Sequence, residues 1–199
     1  MRIIGGEFRS RRLKAVPGDL VRPTPDRLRE SLFNILSPVI EGKVFLDAYA
    51  GTGAVGIEAL SRGAAKAIFL EKHREAAEIL QENLASLGLT RRAAVLRGSV
   101  QLLLPRQTAD IVFLDPPYPK EKEYQLALGI LGEQWEAGLV IAQHATRQKL
   151  EERYGRLVRT RVVKQGDNSL SFYTVEGSVA GDRDGAEVGD ELEGEDVAE

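Results

Sequence analysis

Two short stretches of this 199-residue chain carry residue types that could do chemistry together. Residues 51–56 read GTGAVG directly after the apolar run KVFLDAYA, and residues 115–118 read DPPY directly after the apolar run DIVFL. Glycines at this spacing let a backbone turn tightly after a strand, approach a ligand closely and pack the following helix on the sheet. The loop is therefore typical of a site for an adenosine-containing ligand, with NAD and S-adenosylmethionine both open.

Two carboxylates near this loop bear on the choice of ligand. Asp47 stands at the end of the preceding strand, where it would repel a pyrophosphate and attract the ammonium and sulfonium of S-adenosylmethionine. A loop-bracing acid is the alternative interpretation of Asp47. Glu71 ends the second predicted strand, where a carboxylate can accept both ribose hydroxyls of either cofactor. We therefore predict S-adenosylmethionine as the cofactor and S-adenosylhomocysteine as its product.

The DPPY stretch can form a binding site for an exocyclic base amine, which we call the amine seat. Two prolines lack N–H groups and prevent a helix from starting at once, so we expect the carbonyls of Asp115 and Pro116 to be available as acceptors for a base amine. Hydrogen bonds to Asp115 and the Pro116 carbonyl would hold the amine nitrogen in line with the methyl, while Tyr118 stacks on the base. Deprotonation can follow the transfer, so we predict Asp115, Pro116 and Tyr118 as catalytic residues and no metal.

Strand and helix patterns alternate from residue 43 onward, and they would carry both stretches to one sheet edge. Apolar runs at 43–48, 65–71, 110–114 and 138–143, together with AAVLRG, predict strands, whereas 121–134 and 146–153 are predicted as helices. Two further predicted strands, each with alternating polar and apolar residues, follow at the end of the pattern and are joined at Gly166-Asp167. We therefore predict a mainly parallel, doubly covered sheet that ends in an antiparallel hairpin.

The first forty residues do not belong to this alternation. RIIGGEFRSRRLKAV predicts a hairpin that turns near Gly5-Gly6, and Thr24, Pro25 and Asp26 predict the start of a helix. That helix has a predicted apolar stripe and a polar side with Arg22, Arg27 and Arg29. The stripe consists of Leu28, Leu32, Ile35, Leu36 and Val39.

Composition limits the classes of protein to which the chain can belong. The absence of cysteine excludes disulfides, thiolate metal sites and cysteine nucleophiles. No stretch is typical of a signal peptide or a membrane-spanning helix, which leads us to expect a soluble cytoplasmic protein. The net charge of −3 is uneven, because residues 176–199 hold ten acids against the single base Arg183. The rest of the chain is therefore basic, which hints at an anionic partner such as nucleic acid.

With these residues assembled, the chain resembles the bacterial small-subunit ribosomal RNA guanine-N2 methyltransferases of the RsmD type over roughly residues 2–175. The glycine loop and DPPY are shared by many amine methyltransferases. RIIGGEFRSRRL and RPTPDRLRESLFNIL are far more specific to this family, and FLDAYAGTGAVGIEALSRGA, FLEKH and FLDPPY complete the match.

The resemblance implies a Rossmann-like class I methyltransferase with a seven-stranded sheet of order 3-2-1-4-5-7-6, its last strand antiparallel. It suggests an RNA-binding extension at 1–40 before a methyltransferase domain at 41–176. The acidic stretch 177–199 lies outside the family pattern, and its scattered small apolar residues predict a disordered tail. The expected substrate is one guanine N2 amine of 16S ribosomal RNA, free or within an assembling 30S subunit, and the expected state is a monomer without membrane contact.

The resemblance also implies roles for individual residues, which we assign to the matching positions of this sequence. The expected cofactor site comprises Asp47, Gly51, Thr52, Gly53, Glu71, Ser99 and Asp115. Ser99 is expected beside the adenine, although other amine methyltransferases often place an acid near that position. The expected RNA contacts are Tyr118 and the arginines Arg9, Arg11, Arg12, Arg22, Arg27 and Arg29.

Four other functions remain open at the level of the residues. An adenine-N6 methyltransferase acting on DNA or RNA could use the same DPPY chemistry, and a glutamine methyltransferase would more often carry Asn in place of Asp115. An NAD-dependent oxidoreductase gives no role to Asp47 or DPPY, and a non-catalytic RNA-binding module would not need Asp115. We expect His73 to begin the helix after Glu71, and His144 and Trp135 to be packing or surface residues.

Overall fold

The computed structural model describes residues 1–16, 26–117, 121–136 and 138–177. The strands are β1 (Val44–Asp47), β2 (Lys66–Glu71), β3 (Ala93–Arg97), β4 (Ile111–Leu114), β5 (Leu139–Ala145), β6 (Arg153–Tyr154), β7 (Leu157–Gln165) and β8 (Asn168–Val175). The helices are α1 (Asp26–Leu36), α2 (Ala54–Ser61), α3 (Arg74–Ser86), α4 (Val100–Leu103) and α5 (Glu121–Gln134). Short 3-10 turns at 90–92 and 104–106 complete the described elements.

All eight strands form one sheet in the order β3-β2-β1-β4-β5-β8-β7-β6. The first five strands pair in parallel, and β8 inserts antiparallel between β5 and β7. The parallel sheet with a terminal antiparallel hairpin is therefore confirmed, and so is the Rossmann-like order of its first five strands. The predicted count of seven strands is wrong, because β6 adds an eighth at the edge.

The extra strand follows the segment 146–153, which the sequence predicts as a helix, and overlaps it only at Arg153. Leu150 and Tyr154 have helical spacing and are both buried, but Leu150 packs in the core from a loop and Tyr154 from β6. The Tyr154 ring meets Tyr173 at 5.8 Å between centroids, and the Tyr154 hydroxyl accepts a hydrogen bond from Glu151 N at 3.0 Å. These tertiary contacts outweigh the weak helical pattern.

Helices cover both faces of the sheet, as predicted. Side chains of α1 and α2 pack on the face that carries Phe45 and Phe113, and Leu80 and Leu84 of α3 pack farther along the same face against Phe69. The opposite face carries Leu46 and its neighbours beneath α4 and α5. Because successive strand residues point to opposite faces, a carboxyl-end residue such as Asp47 belongs to the α1–α2 side.

Helix α1 departs from the predicted distribution of polar and apolar residues. Its start at Thr24 and Pro25 lies outside the described residues, and Val39, predicted in the apolar stripe, is 47% exposed. Arg29 is fully buried, which contradicts its predicted place on the polar side. Its Nη2 donates to the Arg2 carbonyl at 2.7 Å and to Asp26 at 2.9 Å, so the guanidinium is used inside the fold.

The N-terminal hairpin is present and packs on α2 and α3. Arg2 and Arg12 form an antiparallel bridge, and Ile3 and Leu13 are buried in the apolar cluster of those helices. Gly6 has φ +77°, and a Cβ there would lie 1.9 Å from the Ser61 carbonyl oxygen. Only glycine allows the hairpin to approach α2 this closely.

Candidate functional site

A cavity of about 720 Å³ opens at the carboxyl ends of β1, β2, β4 and β5. Its size lies within the roughly 300–1,000 Å³ typical of small-molecule sites, and its position is where doubly wound sheets bind ligands. The structure brings most of the predicted cofactor and catalytic residues to this cavity, namely Asp47, Gly51, Thr52, Glu71, Ser99, Asp115 and Pro116. Tyr118 lies outside the described residues.

The glycine loop turns as its spacing predicts, with φ of +54° at Gly51 and +90° at Gly53. A Cβ at Gly53 would lie 2.2 Å from Leu80 Cδ1, and one at Gly56 would lie 2.2 Å from Phe69 Cε1. Gly56 therefore packs α2 on the sheet, and Gly53 serves the turn and the approach of α3. Gly53 is absent from the cavity lining, in contrast to the neighbouring Gly51 and Thr52.

Glu71 lies at the end of β2 with both carboxylate oxygens engaged by the backbone. Oε2 accepts from Gly51 N at 2.8 Å, and Oε1 accepts from His73 N at 2.7 Å. Each oxygen has a second lone pair, so these bonds orient the carboxylate and still leave acceptor capacity for two hydroxyl groups. This arrangement fits a ribose whose two hydroxyls point at Glu71.

Asp47 is 2% exposed, and its Oδ2 accepts a hydrogen bond from Gly56 N at 3.1 Å. Burial raises the pKa of Asp47 to about 7, and the charges of Asp115 and Glu71 add to this rise against the Gly56 hydrogen bond. The carboxylate thus braces the start of α2 and also borders the cavity. A cation in the cavity would favour its ionised form.

A buried asparagine that the sequence interpretation missed holds the loop from the other side. Asn83 of α3 donates through Nδ2 to the Thr52 carbonyl at 3.0 Å and to the Lys14 carbonyl at 3.1 Å. Its Oδ1 accepts from Lys14 N at 2.8 Å. A polar residue beside the apolar Leu80 and Leu84 was the available signal, and it joins the N-terminal segment to the glycine loop.

The end of the cavity beyond Asp115 contains polar residues that the sequence did not single out. Glu123 and Tyr124 of α5, Gln143 of β5 and Asn168 of β8 line it. The Tyr124 hydroxyl donates to the Gln143 carbonyl at 2.6 Å, which ties α5 to β5. The described N-terminal residues Met1, Ala15, Val16 and Asp26 border the same cavity.

The two histidines and Trp135 have the modest roles expected of them. His73 is exposed and immediately precedes α3 instead of lying in its first turn, where the sequence predicts it, and it borders the cavity. His144 is buried beside the cavity; its Nδ1 lies 2.9 Å from the Ala145 carbonyl and its Nε2 lies 2.9 Å from Ser171 Oγ. Burial lowers the pKa of His144. Trp135 is buried, which confirms its packing role.

The predicted RNA-contacting arginines divide into two groups. Arg9, Arg11, Arg12 and Arg27 are exposed on the N-terminal hairpin and on α1, whereas Arg29 is buried and Arg22 lies outside the described residues. Burial removes Arg29 from any surface that an RNA phosphate could reach, because its guanidinium already bonds Arg2 and Asp26. The four exposed guanidiniums can still reach phosphates.

Ser99 immediately precedes α4 and borders the cavity near Val100. Across the parts of the chain that the structure describes, no cluster of acidic and histidine side chains has the make-up of a metal site. Within those same parts, no helix is both long and apolar enough to cross a membrane.

Comparison with known families and proteins agrees with this geometry. The profile of the family described as Conserved hypothetical protein 95 matches residues 1–174. YlbH of Bacillus subtilis, provisionally named as an rRNA methyltransferase, is 38% identical over 185 residues, which cover 89% of this chain and all of YlbH. Ribosomal RNA small subunit methyltransferase D of Escherichia coli is 44% identical over 119 residues, which cover 59% of this chain and 60% of that protein.

A solved structure gives the same result for the fold. The Escherichia coli protein yhhF, provisionally named as a methyltransferase, superposes with a TM-score of 0.77 at 32% sequence identity. The superposition covers 88% of this chain and 98% of that one.

Proposed function

This chain belongs to the Conserved hypothetical protein 95 family, the family of the RsmD-type methyltransferases, and on that premise we propose that it methylates the N2 amine of one guanine in 16S ribosomal RNA. It is an S-adenosylmethionine-dependent rRNA methyltransferase. One observation supports the site above all: the cavity that holds the glycine loop and Glu71 also holds Asp115 and Pro116.

The residues around the glycine loop fit the cofactor. Glu71, held by two backbone N–H groups, would accept the ribose hydroxyls, and Gly51 and Thr52 would line the amino-acid portion. Val100 and Ser99 would border the adenine. Asp47 faces this space as a buried acid near two further carboxylates, so the positive charge of the ligand would offset their mutual repulsion.

The acceptor seat follows from the end of β4. S-adenosylmethionine, when bound, supplies a methyl group activated by the sulfonium. The Asp115 carboxylate and the Pro116 carbonyl would accept the two hydrogens of the guanine amine and hold its nitrogen toward that methyl. These acceptors also favour a pyramidal nitrogen, whose lone pair is then freed from the ring and can attack. Tyr118 is assigned to stack on the base.

The RNA would reach this seat across the N-terminal segment. Met1, Ala15, Val16 and Asp26 border the cavity, and the exposed Arg9, Arg11 and Arg12 project from the same segment. Phosphate contacts of this kind position a nucleic acid without reading its sequence. We propose that the protein acts as a monomer in the cytoplasm on 16S RNA that is free or part of an assembling 30S subunit.

Labelling with a radioactive methyl donor tests the proposal. Small-subunit particles and naked 16S RNA from a strain that lacks this enzyme should accept label, and nucleoside digestion should place it on N2-methylguanosine. Asp115→Ala should lower the rate roughly 100-fold, because the amine loses its alignment. Asp167→Ala, which removes an exposed carboxylate from the β7–β8 turn, is the matched control and should leave the rate unchanged.

Four results would refute the proposal. Label found on adenine would point to an adenine-N6 methyltransferase, and label found only on DNA would exclude the RNA substrate. Equilibrium binding of NAD in preference to S-adenosylmethionine would indicate an oxidoreductase instead. Unchanged function after Asp115→Ala would indicate a non-catalytic RNA-binding protein.

A further inference from the structure

We propose that Gln143 reads the Watson–Crick edge of the target guanine and so sets the choice of base. Gln143 lies near the carboxyl end of β5, borders the cavity and is 6% exposed. Its Oε1 is buried and has no hydrogen-bond partner among the described residues. A buried amide oxygen without a partner is costly, and a ligand that donates to it would remove this cost.

The register of the sheet places Gln143 beside the amine seat. β4 and β5 are parallel, and their last paired residues are Leu114 and Ala142. Asp115 and Gln143 each follow by one residue, on strands about 4.8 Å apart. Phe113 and Ile141, two residues earlier on each strand, share one apolar cluster, so Asp115 and Gln143 continue the same face.

The neighbours of Gln143 fix its backbone but leave its amide for a ligand. The Tyr124 hydroxyl bonds the Gln143 carbonyl at 2.6 Å. His144 also borders the cavity, but it points to the opposite face of the sheet, where its ring lies 6.5 Å from the Tyr124 ring and both ring nitrogens already have partners. Of these two adjacent polar residues in β5, Gln143 is thus the one that can serve the base.

Guanine and a glutamine amide are complementary in this position. The N2 amine of guanine is followed along the same edge by N1–H, a donor, and by O6, an acceptor. With N2 in the Asp115–Pro116 seat, Gln143 Oε1 accepts from N1–H and Nε2 donates to O6. The spacing of oxygen and nitrogen in an amide matches that of O6 and N1, so both bonds can form together.

A base that carries an amine but lacks N1–H and O6 would not satisfy this amide. Adenine places an unprotonated N1 beside its amine and a C–H beyond it, and 2-aminopurine does the same next to an N2 amine. Either base leaves the amide with at most one good hydrogen bond. Gln143 thereby favours guanine, whereas the DPPY seat alone accepts any base amine.

The test compares two substrates in one enzyme preparation and rests on the proposed function. The target guanine in the RNA is replaced by 2-aminopurine, and kcat/KM is measured for both RNAs with the wild type and with Gln143→Met. The wild type should prefer guanine by about tenfold or more. Gln143→Met, close in shape but without the amide, should bring this preference to within about threefold while the rate on 2-aminopurine stays similar.

If Gln143→Met lowers the rates on both RNAs equally, the preference for guanine is unchanged. That result would overturn the proposal. Gln165→Met is the matched control, because Gln165 of β7 also has a buried Oε1 without a partner among the described residues but does not line this cavity. It should keep the wild-type preference. A wild type that does not methylate the guanine RNA would refute the proposed function, whereas an unchanged preference in Gln143→Met would refute only the role of Gln143.

Discussion

Glu58 of α2 and Asp47 at the end of β1 are two buried carboxylates, and their surroundings differ sharply. Glu58 is fully buried and accepts from Ile4 N and Gly5 N at 2.8 Å and from Arg62 Nε at 2.8 Å. The buried Arg29 adds its Nε at 3.8 Å. Asp47 is nearly as buried, but it has backbone hydrogen bonds alone and lies near the carboxylates of Asp115 and Glu71.

The difference distinguishes a buried charge that stabilises the fold, that of Glu58, from a buried charge that borders a candidate binding site, that of Asp47. Around Glu58, two cations and two backbone N–H groups compensate the charge, and the result is a fixed N-terminal hairpin. Around Asp47, desolvation and like charges disfavour ionisation, and a cationic ligand would favour it. The charge of Glu58 is therefore compensated where α2 meets the N-terminal hairpin, whereas the charge of Asp47 is not compensated where it borders the cavity.

Removal of the compensated carboxylate should have the largest effect on stability. Glu58→Ala leaves the Arg29 guanidinium buried without its principal counter-charge and leaves Ile4 N and Gly5 N without acceptors. We expect a loss of about 3–5 kcal/mol in the free energy of unfolding, measured by urea denaturation.

Glu78→Ala is the control for this variant, because it removes an exposed ion pair with Arg74 on α3. It should change the unfolding midpoint very little. A small effect of Glu58→Ala, comparable to that of the control, would contradict the role assigned to Glu58.

Removal of the uncompensated carboxylate of Asp47 should raise the free energy of unfolding instead of lowering it. Asp47→Asn keeps an acceptor for Gly56 N but no longer has to ionise in a buried place. We expect the protein without cofactor to gain on the order of 3 kcal/mol at pH 8, while S-adenosylmethionine binds about tenfold more weakly. Denaturation and calorimetric titration measure the two effects; lower stability in Asp47→Asn would contradict this account.

The same carboxylate predicts how stability depends on pH. Folded Asp47 has a pKa of about 7, whereas the unfolded chain releases that proton near 3.8. Between these values the folded state binds more protons, so the contribution of Asp47 to the free energy of unfolding falls as pH rises from about 4 to about 7. Measured from pH 4.5 to 8, the wild type should lose stability relative to Asp47→Asn; parallel curves would exclude the raised pKa.

The smallest effects should come from single contacts at the cofactor end. Glu71→Gln replaces a charged acceptor by a neutral one and turns an amide N–H donor toward the backbone N–H of Gly51 or His73, so it should weaken S-adenosylmethionine binding by about tenfold. Ser99→Ala should change binding less than about threefold, since Ser99 makes no side-chain capping bond at α4. Calorimetric titration of both variants gives the comparison, and a larger effect for Ser99→Ala would reverse the assignment.

Local patterns predicted much of the fold and of the cofactor end of the site. The glycine turn, the parallel strands and the positions of Asp47, Glu71 and Asp115 at strand ends all depend on short-range backbone rules. The prediction of a helix at 146–153 is wrong because the contact of Tyr154 with the distant Tyr173 determined the conformation of the chain there. The prediction that Arg29 lies on the polar side of α1 is wrong for a similar reason, since Glu58 and the Arg2 carbonyl lie far from Arg29 in sequence.

The sequence by itself determined the glycine loop, the DPPY stretch and the family, because each depends on residue types at fixed spacing along one segment. Only the tertiary structure decided which buried charges are compensated and which polar residues border the cavity beside Asp115. Gln143 has no motif around it; its proximity to Asp115 follows from the register of β4 against β5. Pairing between strands is a property of the folded sheet, and the burial that raises the pKa of Asp47 likewise exists only once the helices have packed.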